Sequence, residues 1–178
     1  MLELSMHIID IIENSVRAGA DKIYIKIDEN KKKNIFSITI KDNGRGMDKI
    51  FLKKVFDPFT TTKKNKKVGL GLSLLKAAAQ RCGGDMIIKS SPENGTELKA
   101  DFVLSHIDRQ PLGDIIETMV VLVTGYSQVE FILEHRKNNK RLQWNSSKIT
   151  KYLGDTIRSS PKVIKFIKHD LQDKYKEL

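Results

Sequence analysis

Asp42-Asn43-Gly44-Arg45-Gly46-Met47 is the stretch on which the reading of this chain turns. An acid follows a run of alternating apolar residues at 35–40, and two glycines stand one residue apart just after it. A carboxylate at a strand end can accept hydrogen bonds from an amino group, and glycines let the backbone take unusual angles and approach a flat ring closely. Taken alone, the stretch is also an ordinary Asn-Gly turn. Its weight comes from what stands on either side.

Upstream, Leu4, Ile8, Ile11, Ile12 and Val16 recur at helical spacing, which predicts a helix capped by Ser5 and stopped by Gly19. Asp10 and Asn14 are four residues apart and share one face of it. An amide oxygen is a hard ligand suited to Mg²⁺, and an acid one turn away can orient or deprotonate a water. Arg17 can reach a phosphate from nearly the same face. A plain solvent-facing helix side has the same composition. Ile23, Ile25 and Ile27 alternate with polar residues, and with 35–40 they predict a hairpin about residues 29–34.

Downstream, residues 48–56 read as a short helix ending before Pro58, and residues 60–68 as a polar, basic loop. Gly69-Leu70-Gly71-Leu72 then opens a helix that closes at Gly83-Gly84. The free backbone N–H groups at such a start bind phosphate. Lys63, Lys64 and Lys67 precede it and can neutralise a triphosphate. Residues 86–90 and 97–104 predict a second hairpin about Asn94-Gly95.

After Ser105 the character changes. Pro111 suits the first turn of a helix running through Val123. A third hairpin is predicted about Asn138-Asn139, then helices at 146–153 and 161–176. This divides the chain into an N-terminal domain, 1–106, and an α/β extension, 107–178.

The 178 residues carry a formal charge of +10, with 32 Lys and Arg against 22 Asp and Glu. The surplus is spread along the chain, with no helix-turn-helix, zinc-ligand set or basic stripe with interleaved aromatics. Nucleic acid is therefore placed behind a protein as the expected partner, and Lys31-Lys32-Lys33 reads as a solvated turn. No apolar run approaches the roughly 18 residues needed to cross a bilayer. Cys82, the single cysteine, fits a reducing cytosol, so a cytoplasmic location is expected. His7, flanked by apolar residues, reads as a helix-packing histidine.

Four segments resemble the motifs of one superfamily in its own order. Ile11-Ile12-Glu13-Asn14-Ser15 resembles the N box, and 42–47 the first glycine box. Residues 56–63, from Phe56 to Lys63, resemble the F box, and Gly69-Leu70-Gly71-Leu72-Ser73-Leu74 the second glycine box. Asn94-Gly95-Thr96 fits a late Gly-Thr. The superfamily is that of gyrase, heat-shock chaperone, histidine kinase and MutL ATPases. The resemblance implies the Bergerat fold, an α+β two-layer α/β sandwich, here with a small α/β C-terminal extension.

The resemblance also assigns roles. Asn14 should bind Mg²⁺ and Arg17 a phosphate. Asp42 should read the adenine of ATP, with Gly44, Gly46, Met47 and Thr96 beside it and the Thr96 hydroxyl supporting the aspartate. Thr62, Lys63, Gly69, Leu70, Gly71 and Leu72 should meet the nucleotide at the helix start. Residues 60–68 would be a short lid, stiffened where Lys67 replaces a glycine often seen in histidine kinases. Asp10 holds the place of the general base of the hydrolytic branches, one methylene shorter than the usual glutamate, and is preferred over the neighbouring Glu13.

The function implied is that of a stand-alone Mg-ATP-binding protein, a kinase or ATPase working on or through a protein partner. A non-catalytic nucleotide switch or sensor is the alternative. His106-Ile107-Asp108-Arg109-Gln110-Pro111-Leu112 shares His, Arg, Pro and Leu with the phosphoacceptor box of histidine kinases. Its acid is one place further on, and a linking loop explains it more simply.

Overall fold

The computed structural model describes residues 2–57, 70–149 and 160–178. Its centre is one six-stranded sheet in the order β3-β4-β2-β1-β5-β6. The strands are β1 (Lys22–Asn30), β2 (Ile35–Asp42), β3 (Asp85–Ser90), β4 (Thr96–Val103), β5 (Glu130–Lys137) and β6 (Lys140–Asn145). All neighbours are antiparallel except β1 and β5, which run parallel. Period-two alternation sends Ile23, Ile25 and Ile27, then Phe36, Ile38 and Ile40, and then Leu98, Ala100 and Phe102 into the core.

The helices are α1 (Leu4–Arg17), α2 (Lys49–Lys54), α3 (Gly71–Arg81), α4 (Ile115–Gly125) and α5 (Pro161–Tyr175); all but α2, which buries none of its residues, pack into the core on that face. The result is the two-layer α/β sandwich expected of the Bergerat fold. The α1 stripe of Leu4, Ile8, Ile11 and Ile12 is buried. His7 is buried with it, and burial holds its imidazole below the ordinary range. Cys82, just after α3, is buried too, which pushes its thiol up.

Two predicted helix starts lie elsewhere, for one shared reason. Glu3, not Ser5, occupies the N-cap of α1, and no side chain caps it. Instead the amides of Leu4 and Ser5 donate to the carbonyls of Pro111 and Leu112, at 3.0 and 2.9 Å. Residues 111–112 are thus spent capping a distant helix. Pro111 opens no helix of its own; α4 starts at Ile115, where the Asp114 carboxylate accepts from Glu117 N–H. Of the predicted helix at 146–153, only 146–149 lie among the described residues.

The segment after residue 106 continues the same sheet. Phe131 and Leu133 of β5 lie beside Ile23 and Ile25 of β1. Val163, Ile167 and Leu171 of α5 bury the new strands, and Trp144 Nε1 donates to Asp170 at 2.6 Å.

On the other face, left uncovered by any helix among the described residues, Glu134 of β5 ties three strands together. Its Oε2 accepts from Tyr24 on β1 at 2.8 Å, and from Arg141 and Gln143 on β6 at 2.6 and 3.1 Å. Arg136 Nε lies 2.7 Å from Oε1. Burial opposes ionisation of Glu134, but these hydrogen bonds and the Arg136 charge prevail and hold its pKa down to about 2. An acid held low in this way adds stability above the ordinary carboxyl range and loses it as the pH falls towards its folded value. Glu134→Gln should therefore cost up to about 3 kcal/mol near neutral pH, and the gap from the parent should narrow as the pH falls below the ordinary carboxyl range and close only as it nears about 2. Urea midpoints across that range measure it; a gap that stays constant contradicts the assignment.

Candidate functional site

The register carries Asp42 to the end of β2, opposite Thr96 of β4 and Ile23 of β1. Its side chain is buried and accepts from three directions. Oδ1 takes the amides of Gly44 at 3.0 Å and Thr96 at 3.2 Å, and Oδ2 takes the Ser15 hydroxyl of α1 at 2.6 Å. One carboxylate thus fixes a helix, a strand and the glycine turn relative to each other. Charge-assisted bonds of this kind are the strong ones.

The turn after Asp42 is held just as closely. Arg45 N–H donates to the Ala18 carbonyl at 2.9 Å, and Met47 N–H to Ser90 Oγ at 2.9 Å. Gly46 has φ +68°, and a Cβ there would collide with the Ser91 carbonyl oxygen. This position therefore demands glycine for both conformation and space. Ser90 also donates to the Gly95 carbonyl at 2.8 Å and lies 3.0 Å from Thr96 Oγ1. Thr96 supports Asp42 through its backbone amide, while its hydroxyl pairs with Ser90.

Beside Asp42 opens a cavity of about 330 Å³. Asp10, Asn14, Arg17, Asp42, Gly46, Met47, Gly71, Leu72 and Thr96 all line it. Residues drawn from separate motifs therefore meet around one space. Ile40, Phe51, Val55, Ile88 and Leu98 supply apolar wall, while Asp10, Asn14, Arg17 and Arg45 supply polar groups. The volume lies at the lower end of the range for small-molecule pockets.

Asp10 and α3 meet directly. A Cβ on Gly71 would stand 3.2 Å from Asp10 Oδ2, so glycine lets the start of α3 approach that carboxylate. The first-turn amides of α3 have no carbonyl one turn behind them within the helix. Glu13 is turned away. It binds Arg17 Nη2 at 2.6 Å on an exposed helix side and is not among the cavity-lining residues. Arg17 Nη1 also donates to Asn14 Oδ1 at 3.3 Å.

The remaining expected residues lie at the margin or beyond. Gly44 is packed against Ala18 behind the cavity wall. Leu70 precedes α3 and is half exposed. Thr62, Lys63 and Gly69, with Lys64, Lys67 and the lid at 60–68, lie outside the described residues. His106 sits in the turn after β4, where its Nδ1 accepts from Asp108 N–H at 3.1 Å. Sequence reasoning missed the parts played by Ser15 and Ser90. Ser15 carried a signal: it continues the buried stripe of Leu4, Ile8 and Ile11, where a hydroxyl needs a partner.

Comparison with known proteins bears on this geometry. Residues 2–108 match the family described as histidine kinase-, DNA gyrase B-, and HSP90-like ATPase. A candidate sensor protein of Shewanella frigidimarina is 35% identical over 108 residues, covering 60% of this chain and 16% of that protein. The tetrathionate sensor histidine kinase TtrS of Salmonella typhimurium is 35% identical over 81 residues, covering 46% of this chain and 13% of its own length. The chain therefore spans under one fifth of these relatives. Among solved structures, the N-terminal domain of a DNA repair protein superposes with a TM-score of 0.57 at 16% identity. That likeness covers 89% of this chain and 59% of the other, and concerns the fold alone.

If Asp42 is the joint described above, Ser15→Ala should lower stability by about 2 kcal/mol, the usual worth of a hydrogen bond to a charged group. A denaturant midpoint equal to that of the parent would contradict the assignment.

Proposed function

The chain belongs to the histidine kinase-, DNA gyrase B-, and HSP90-like ATPase family, and from that premise we propose that its cavity binds Mg-ATP and that the protein acts as a kinase or ATPase on or through a protein partner. One observation carries the reading: a buried carboxylate, a glycine-opened helix start and an acid–amide pair on α1 line the same space.

Each group has a task that its chemistry suits. Asp42 is an acceptor only, so it selects a ring that offers an amino group. Ile40, Met47, Ile88 and Leu98 enclose a flat apolar ring. The first-turn amides of α3 and the Arg17 guanidinium face the phosphates. Arg17 exchanges its exposed partner Glu13 at little cost, since surface pairs of this kind are worth about 1 kcal/mol or less.

Magnesium needs few protein oxygens when phosphates and water complete its shell. Asn14 Oδ1 fits that demand, because it is exposed in the cavity and its present contact to Arg17 is long and weak. When bound, the ion neutralises phosphate charge. Asp10, one turn away and against Gly71, is placed to accept a proton from an attacking water. In the kinase branch the attacking group comes from the partner, and the same carboxylate orients it.

Asp42→Ala should weaken ATP binding about 30-fold or more in calorimetry, the loss of a charged hydrogen bond. Asp10→Asn should keep that affinity and abolish phosphate release. With γ-labelled ATP and the intact chain, label reaching free phosphate or another protein selects the ATPase or the kinase. ATP binding without any transfer selects the switch, and unchanged turnover in Asp10→Asn removes the aspartate as base.

A further inference from the structure

The fold joins two basic turns that are far apart in sequence. Lys31-Lys32-Lys33 connects β1 to β2, and Lys137 through Arg141 turn β5 into β6. Asn138 stitches them together: its Oδ1 accepts from Lys31 N–H at 3.0 Å, and its own N–H donates to the Glu29 carbonyl at 2.8 Å. Lys31, Lys32, Lys33, Lys137 and Lys140 are all exposed, and none forms an ion pair among the described residues.

Two arginines extend the cluster. Arg136 and Arg141 stand directly opposite each other across β5 and β6, an arrangement that repels unless compensated. The buried Glu134 carboxylate compensates it, binding Arg141 at 2.6 Å and lying 2.7 Å from Arg136. One negative charge thus holds two guanidinium groups side by side, with N–H donors to spare on both. Of the other nearby acids, Glu29 on the covered side is engaged by His135 at 2.9 Å, and Asp28, opposite Arg136, lies 3.9 Å from Lys26.

We propose that these paired turns form a docking surface for an acidic segment of a partner protein. The surface is independent of the nucleotide reading, lying at the opposite end of β2 from Asp42, roughly 20–25 Å away at the usual rise per residue. Its extent decides the kind of partner. Beyond Arg141 and Arg136, the same row of the uncovered face continues with Asp28, Ser37, Asp101 and Asp85. There the charges are balanced, Asp101 by Lys99 at 2.8 Å and Asp28 by Lys26 at 3.9 Å, so a long phosphate backbone or an anionic bilayer laid across the face gains no further attraction beyond the turns. A short run of Asp or Glu can occupy the turns alone. Such surfaces chiefly raise association rate and set specificity.

The test uses the full chain and a labelled 12-residue peptide of alternating Glu and Ser, at physiological salt. Saturable binding is expected, with amide shifts confined to residues 31–34 and 136–141. Lys32→Glu combined with Lys140→Glu should raise the peptide Kd tenfold or more while ATP affinity stays unchanged. Lys162→Glu with Lys165→Glu, on exposed positions of α5, makes the same change in net charge and should leave the peptide Kd within about twofold. No binding, shifts elsewhere, or an equal loss in the α5 variant overturns the site. Tighter binding of duplex DNA or of phosphatidylserine vesicles at the same salt overturns the choice of partner.

Discussion

The Asp42 carboxylate joins α1, β4 and the glycine turn at one buried point. Three donors converge on it from α1, from β4 and from its own turn, within 3.2 Å. A buried charge is costly unless it is satisfied in this way. Satisfying it here requires α1 to lie across the sheet in one register, with Ser15 above Asp42. Once α1 is so placed, Asp10 and Asn14 face the space that Asp42 also lines. The same bonds that lock the fold therefore assemble the site.

The opposite end of α1 is fixed by a different part of the chain. Its first amides are satisfied by the carbonyls of Pro111 and Leu112, more than a hundred residues on. That strap leads into α4, whose buried face packs in the same core as β5. The family match ends at residue 108, yet the sheet and its hydrophobic core run on without interruption. α4 touches both α1 and α5 within that core.

Much of this was legible in the sequence, because it is written in local periodicity. The two N-terminal hairpins, the start of α3 at its glycines and the shared face of Asp10 and Asn14 all follow from spacing within a dozen residues. What escaped depends on partners far away in sequence. Ser5 looks like a helix cap, but the helix is capped by residues 111–112. Pro111 looks like a helix start for the same local reason and is overruled by the same contact. The basic residues look dispersed along the chain, and become a cluster only when Asn138 meets Lys31. Ser15 and Ser90 matter through single hydrogen bonds that no pattern of apolar residues announces.

In the proposed function, ring recognition passes through Asp42. The amides of Gly44 and Thr96 donate to that carboxylate and report on it without mutation. Following both amides by NMR during titration with ATP, and separately with GTP, measures the claim directly. Saturable shifts at both amides are expected with ATP, and much weaker binding with GTP, whose ring offers a carbonyl where adenine offers an amino group. Equal binding of the two nucleotides, or ATP binding that leaves both amides unmoved, would contradict it.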